Sequence, residues 1–214
     1  MLGKLQYISQ GITADEQLNN IQQALDAGCD WIQLRFKNAS EIEVRKLAEK
    51  VKELTFKYST TFIINDHAHI AKEISADGVH LGLTDLPILE ARQILGNQKI
   101  IGGTANTLTD VLQRVQEGCD YIGLGPFRFT ITKDKLSPIL GLQGFGDIAK
   151  ELAARNIYIP IYAIGGIGLE DISSIVRVGI YGVAISGLIT HHLNKKILVE
   201  QLNTLLYEPV NYSR

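Results

Sequence analysis

Arg128, Thr130, Thr132 and Lys133 crowd into one short stretch, and each can hold an anion. They follow the apolar run Tyr121–Leu124 and the break at Gly125-Pro126, in the segment YIGLGPFRFTITK. Loops hung on rigid strands are where binding and catalytic groups gather. A solvated basic turn would look much the same, so the weight falls on the rest of the chain. In WIQLRFK, strand alternation puts Gln33, Arg35 and Lys37 on one face and Ile32, Leu34 and Phe36 on the other. An arginine on an inward face is costly unless it meets an anion, so three polar residues in register favour a binding site over a structural ion pair. Asn65 and Asp66 end the run TFIIND, and Asp85 stands in GLTDLP. An isolated Asp85 would simply cap the helix expected near Pro87. Paired with Asp66 beside two cations, it instead suits Mg²⁺ shared with substrate phosphates. Gly165-Gly166 and Ser186-Gly187 offer backbone amides to a further anion.

These groups need a scaffold that brings them together. Short apolar runs occur at Leu5–Ser9, Trp31–Arg35, Thr61–Asn65, Gly78–Leu81, Ile100–Thr104, Tyr121–Leu124, Ile159–Ile164 and Gly182–Ile185. Between them, helical periodicity marks Glu16–Ala27, Ser40–Lys57, Leu89–Leu95, Thr109–Glu117 and Leu169–Val178. A weak echo recurs ahead of alternate strands, as AGCDWI, SADGVH, EGCDYI and VGIYGV. Eight alternating units predict an α/β fold, a single-domain (βα)8 TIM barrel over residues 1–214. A doubly wound open sheet is the rival, but the GxGxxG turn expected after its first strand is absent. In a barrel the reactive groups collect at the C-terminal strand ends, where every residue singled out above would lie. Gly141, Gly144 and Gly146 are compatible with a mobile lid.

Composition narrows the field. The chain has 214 residues, 45% of them hydrophobic, and a net charge of −2, which speaks against a general nucleic-acid or membrane binder. No run is long and apolar enough for a membrane span, and the first residues lack a signal-peptide core. Two widely separated cysteines suit a reduced, cytoplasmic protein, and Cys29 and Cys119 occupy equivalent joins, which marks them as structural. Self-association is compatible with all of this. His67, His69 and His80 form no HExxH set and are read as solvated or hydrogen-bonded, and no serine sits in GxSxG.

From QLRFK through IINDHAHIAKEISADGVHLG, IIGGT and DYIGLGPFRFTITK to IPIYAIGGI and VAISG, nearly the whole chain resembles the thiamine-phosphate synthase family. That resemblance implies a Mg²⁺-dependent transferase joining a hydroxymethylpyrimidine diphosphate to a thiazole phosphate, with release of pyrophosphate. It implies Gln33, Arg35, Lys37, Asn65, Thr104 and Lys133 as ligands of the pyrimidine diphosphate, with Arg35, Lys37 and Lys133 absorbing leaving-group charge. Asp66 and Asp85 would hold Mg²⁺, and Thr130, Thr132, Gly166, Ile185 and Ser186 the thiazole phosphate. The sequence departs from the family pattern at Phe36, where a glutamate is usual, at Leu83-Thr84, in place of a Gln-acid pair, and at Thr104, in place of a serine. Two other readings stay open: a sister thiazole tautomerase, and a non-catalytic barrel that keeps a phosphate grip.

Overall fold

The structure is a computed structural model that describes residues 2–129 and 138–208. Among these, eight parallel strands close into a barrel in chain order. They are β1 (Leu5–Ile8), β2 (Trp31–Leu34), β3 (Thr61–Asn65), β4 (Gly78–Leu81), β5 (Ile100–Ala105), β6 (Tyr121–Leu124), β7 (Ile161–Ile164) and β8 (Gly182–Ile185). The helices are α1 (Ala14–Asp26), α2 (Glu41–Lys57), α3 (Ala68–Glu73), α4 (Ile88–Leu95), α5 (Leu108–Gln116), α6 (Gly141–Ala154), α7 (Ile172–Arg177), α8 (Gly187–Thr190) and α9 (Lys195–Tyr207). A 3₁₀ turn, Leu169–Asp171, leads into α7. The fold is thus the expected (βα)8 barrel. None of the described helices is long and apolar enough to cross a membrane.

Local chemistry explains the boundaries. Thr13, Ser40 and Thr107 open α1, α2 and α5 with reciprocal capping boxes to Glu16, Glu43 and Asp110, satisfying amides that a helix start leaves orphaned. β7 begins at Ile161 rather than Ile159, because Pro160 has no N–H for the ladder; its carbonyl still accepts from Ile122. The glycines read as a lid lie instead in α6, whose Phe145, Ile148 and Leu152 fall on one buried face. Glycine content hid a helical period there. The recurring joins have a structural role. Asp77 accepts the Phe62 amide and Asp120 the Ile101 amide, each at 2.7 Å, so these carboxylates tie the start of the neighbouring strand. Gly28 and Gly118, in the left-handed region at φ +99° and +81°, end the preceding helices.

Two apolar cores result. The larger lies between strands and helices and takes Ile32, Leu34 and, partly, Phe36. The smaller fills the barrel interior with Ile8, Trp31, Ile63, Tyr121, Tyr162 and Ala184. Trp31 meets Tyr121 and Tyr162 edge-on, with ring centroids 5.0 and 4.8 Å away. This aromatic plug closes the lower barrel, so anything that binds must bind above it. Cys29 and Cys119 are buried, and burial raises both thiols to about 12, which leaves them inert.

Candidate active site

A polar layer rests directly on the aromatic plug. Gln33 Nε2 donates to Gln6 Oε1 at 3.5 Å, and Gln6 Nε2 donates to the Tyr121 hydroxyl at 3.2 Å. His80 Nδ1 lies 3.0 Å from that hydroxyl, and its Nε2 lies 3.0 Å from Thr104 Oγ1. Burial drives the Tyr121 phenol far above its ordinary pKa, so it stays protonated. Tyr121, His80 and Thr104 thus form one hydrogen-bonded row. Glycines make the layer possible. A Cβ on Gly102 would stand 2.1 Å from the Tyr121 ring, and one on Gly123 3.1 Å from the His80 ring.

Above this floor, the β2–β4 side of the mouth is charged. β2 ends at Leu34, but its pairing with β1 continues through side chains. Ser9 Oγ accepts the Arg35 amide at 2.9 Å, and the buried Gln17 donates to the Arg35 carbonyl at 3.2 Å. Arg35 is thereby fixed where its side chain enters the cavity. Asp66 sits in the left-handed region at φ +66°, which costs a non-glycine residue about 1–2 kcal/mol. Its amide is held by the His80 carbonyl at 2.9 Å. A residue kept in such a conformation at a strand end is a sign of function. Asp85 does not cap α4; its Oδ2 accepts the Gly82 amide at 2.6 Å, and Pro87 takes the cap position. Freed from capping, Asp85 lies near enough to Asp66 for its charge to act on that carboxyl. Burial first, then the neighbouring Asp85 carboxyl, raise Asp66 to about 7, against the pull of Lys37 and Arg35. Neighbouring carboxylates repel one another, and a cation between them relieves that repulsion. Hard oxygen donors in such a pair fit Mg²⁺ completed by water and substrate oxygens.

The β7–β8 side is built from backbone. Gly165 and Gly166 stand at φ +94° and +68°, and with Ile167 they form one wall of the cavity. Ser186, Gly187 and Leu188, where β8 passes into α8, form the adjoining wall. Helix starts leave amides without partners inside the helix. Here those of α8 and those of the glycine turn border the same space.

One cavity of about 290 Å³ joins Arg35 and Lys37 to the glycine turn and the start of α8, with Asp66 and Asp85 outside its lining. Its lining includes Gln33, Arg35, Lys37, Asn65, His80, Thr104, Gly125, Gly166, Ile185 and Ser186. Lys37 and Asn65 also line a side cleft of about 190 Å³ that reaches Asp66. Thr130, Thr132 and Lys133 lie outside the described residues. Sequence reasoning missed Gln6, Ser9, Gln17 and the place of His80 and Tyr121 in the floor. The glycines at 102 and 123, inside strands, were a readable hint that bulky interior groups needed room. His80 is the hydrogen-bonded histidine expected. Asn106 is buried and donates to the Gly125 carbonyl, which gives it a structural role.

A closed parallel barrel with a charged rim, paired carboxylates and a glycine cradle around one mouth defines a phosphate-handling (βα)8 enzyme. Residues 6–189 match the family model described as thiamine monophosphate synthase. The chain is 58% identical to the thiamine-phosphate synthase of Flavobacterium johnsoniae over 210 residues, 98% of this chain and 99% of the relative. It is 50% identical to that of Phocaeicola vulgatus over 186 residues, 87% and 89% of the two chains. A thiamine phosphate pyrophosphorylase from Pyrococcus furiosus superposes with a TM-score of 0.82 at 28% identity, covering 95% of each chain. The chain belongs to the thiamine monophosphate synthase family, whose members are transferases.

Proposed function

We propose that the chain, acting as one barrel over residues 1–214 in the cytoplasm, joins a hydroxymethylpyrimidine diphosphate to a thiazole phosphate. Thiamine phosphate and pyrophosphate are the products. The observation that carries the reading is the pairing of Asp66 with Asp85 beside Arg35 and Lys37, across one cavity from the Gly165–Ile167 and Ser186–Leu188 backbone. One side suits a group whose charge must be neutralised, the other a phosphate that need only be held.

The C–O bond to the diphosphate breaks at a CH₂ on an electron-rich aminopyrimidine, whose ring spreads the positive charge. The thiazole nitrogen then forms the new C–N bond with its own lone pair, so no general base is required. Catalysis reduces to alignment and to stabilising the departing pyrophosphate. Gln33, Asn65 and Thr104 orient the pyrimidine diphosphate, with Thr104 itself held by His80. Arg35 and Lys37 face the leaving group, and Lys133, outside the described residues, is assigned beside them by family resemblance. Mg²⁺, if held by Asp66 and Asp85, would add positive charge beside the departing diphosphate. Gly166, Ile185 and Ser186 hold the thiazole phosphate, and Thr130 and Thr132 are assigned there by resemblance alone. Phe36 packs against the outer core and borders the side cleft beside Lys37 and Asp66, so the usual glutamate is missing next to the proposed metal pair.

The test is incubation of the purified protein with both substrates, with and without Mg²⁺, reading thiamine phosphate and pyrophosphate together. Formation of both in equal amounts, dependent on Mg²⁺, is expected. Thiazole isomer conversion without coupling would identify a tautomerase. Tight phosphate binding with no turnover would identify a binding module.

A further inference from the structure

Arg128 is a cation that the chemistry above leaves unused. Its guanidinium reaches from the loop after β6 to the turn after β7. There Nη2 donates to Asp171 Oδ1 at 2.6 Å, while Nη1 donates to Asp171 Oδ2 and, at 3.2 Å, to the Gly166 carbonyl. The Asp171 side chain is 9% exposed, and its Oδ2 also accepts the Gly168 amide at 2.8 Å. The backbone follows the same path, with Phe127 N donating to Ile164 O at 2.9 Å and Arg128 N to Gly165 O at 3.0 Å. The carbonyls of Gly165 and Gly166 are therefore both held on Arg128.

This has a geometric consequence. In a planar trans peptide the C=O and the following N–H point in opposite directions. With both carbonyls turned to Arg128, the amides of Gly166 and Ile167 must turn away from it. Both residues border the cavity, and neither amide is donated to another described residue. An exposed Arg–Asp pair ordinarily contributes little. This one is two-pronged, has a buried carboxylate, and includes a bond to the glycine backbone itself.

We propose that Arg128 is a positioning residue that, clamped by Asp171, orients the Gly165–Ile167 turn so that its amides face the phosphate of the thiazole substrate. The proposal rests on the reading that this turn takes that phosphate. The Arg128 charge is matched by Asp171, so its effect passes through backbone geometry and not through attraction of the ligand. Lysine cannot replace it, because a single ammonium lacks the planar fork that binds the carboxylate and the carbonyl together.

Steady-state kinetics with each substrate varied in turn tests this in Arg128→Ala, Arg128→Lys and Asp171→Asn. All three should raise KM for the thiazole phosphate about tenfold, with kcat and KM for the pyrimidine diphosphate within about twofold of wild type. The Arg128→Ala/Asp171→Asn double variant should match the single ones, because each breaks the same clamp. Direct charge binding by Arg128 gives the opposite sign for Asp171→Asn, which frees the guanidinium and would lower KM. That result overturns the proposal, as would an unchanged KM or an equal rise for both substrates. Should Arg128→Ala fail to fold, Arg128→Lys and Asp171→Asn carry the same readout. If the wild type makes no thiamine phosphate, the coupling function falls, and inorganic phosphate titration then tests the clamp alone. Weaker phosphate binding in the variants supports it, and equal binding overturns it.

Discussion

The β2–β4 side of the cavity mouth carries Arg35, Lys37 and the Asp66–Asp85 pair, whereas the described residues on the β7–β8 side of its lining are glycines, Ser186 and apolar groups. Under the proposed assignment of the two substrates, the contrast follows from what each substrate group does. Negative charge grows on a diphosphate as it leaves, so groups that strengthen with charge lower the barrier. The thiazole phosphate keeps its charge throughout and serves as a handle. Fixed amides hold such a handle without placing further side-chain charges in a cavity where every unpaired charge is costly.

Substitutions on the two sides should therefore divide between turnover and affinity. The largest effect is expected from Arg35→Ala, which should lower kcat by about 10³-fold while leaving KM for the thiazole phosphate nearly unchanged. A loss confined to KM would erase the distinction between the sides. Asp66→Asn should raise the Mg²⁺ concentration for half-maximal activity by about 10–100-fold, measured by titrating the metal at saturating substrates. It should also remove a carboxyl whose ionisation burial and the Asp85 charge disfavour, so the metal-free protein should gain thermal stability at neutral pH. On the other side, Gly166→Ala places a Cβ 2.9 Å from Arg128 Cβ at φ +68°. The strain of about 1–2 kcal/mol should appear as a roughly tenfold higher KM for the thiazole phosphate, with kcat within about twofold.

The smallest effect is on stability. Burial works against ionising Asp171, but the Arg128 guanidinium and the Gly168 amide outweigh it and hold the carboxyl below its usual range. A lowered carboxyl adds stability that is full above the ordinary value near 3.9 and fades as pH falls through the folded-state value. The Tm difference between wild type and Asp171→Asn should accordingly be largest at neutral pH and shrink below about pH 4. A difference that stays constant through acid would remove the ion pair from the account.

Much of the charged side was readable. Alternation in WIQLRFK points Arg35 and Lys37 inward, and both do line the cavity, although β2 ends at Leu34 and they stand just past it; Asn65 and Asp66 follow from their place at a strand end. The amide side was only half readable. Gly165-Gly166 could be seen as a pair, but their carbonyls are met by Arg128, whose partner Asp171 stands 43 positions away. Arg128 itself looked like an anion-binding cation, and its charge is instead matched within the fold. The floor of Gln6, Gln33, Tyr121, His80 and Thr104 was hidden for a similar reason, since each member comes from a different strand and none forms a local motif. The α6 glycines misled because local propensity argued for a loop, whereas burial of Phe145, Ile148 and Leu152 decides for a helix.

What the sequence by itself determined is what repeats at short range. Strand and helix alternation, capping residues and strand-end polar groups all act within a few positions, and together they specify the barrel and the end of it that binds. The tertiary structure alone decided that Asp85 accepts the Gly82 amide beside Asp66 instead of capping α4, and that Arg128 pairs with Asp171 and the glycine turn. Both outcomes depend on which groups meet across the barrel mouth. Such contacts form between residues far apart in the chain, where no local periodicity records them.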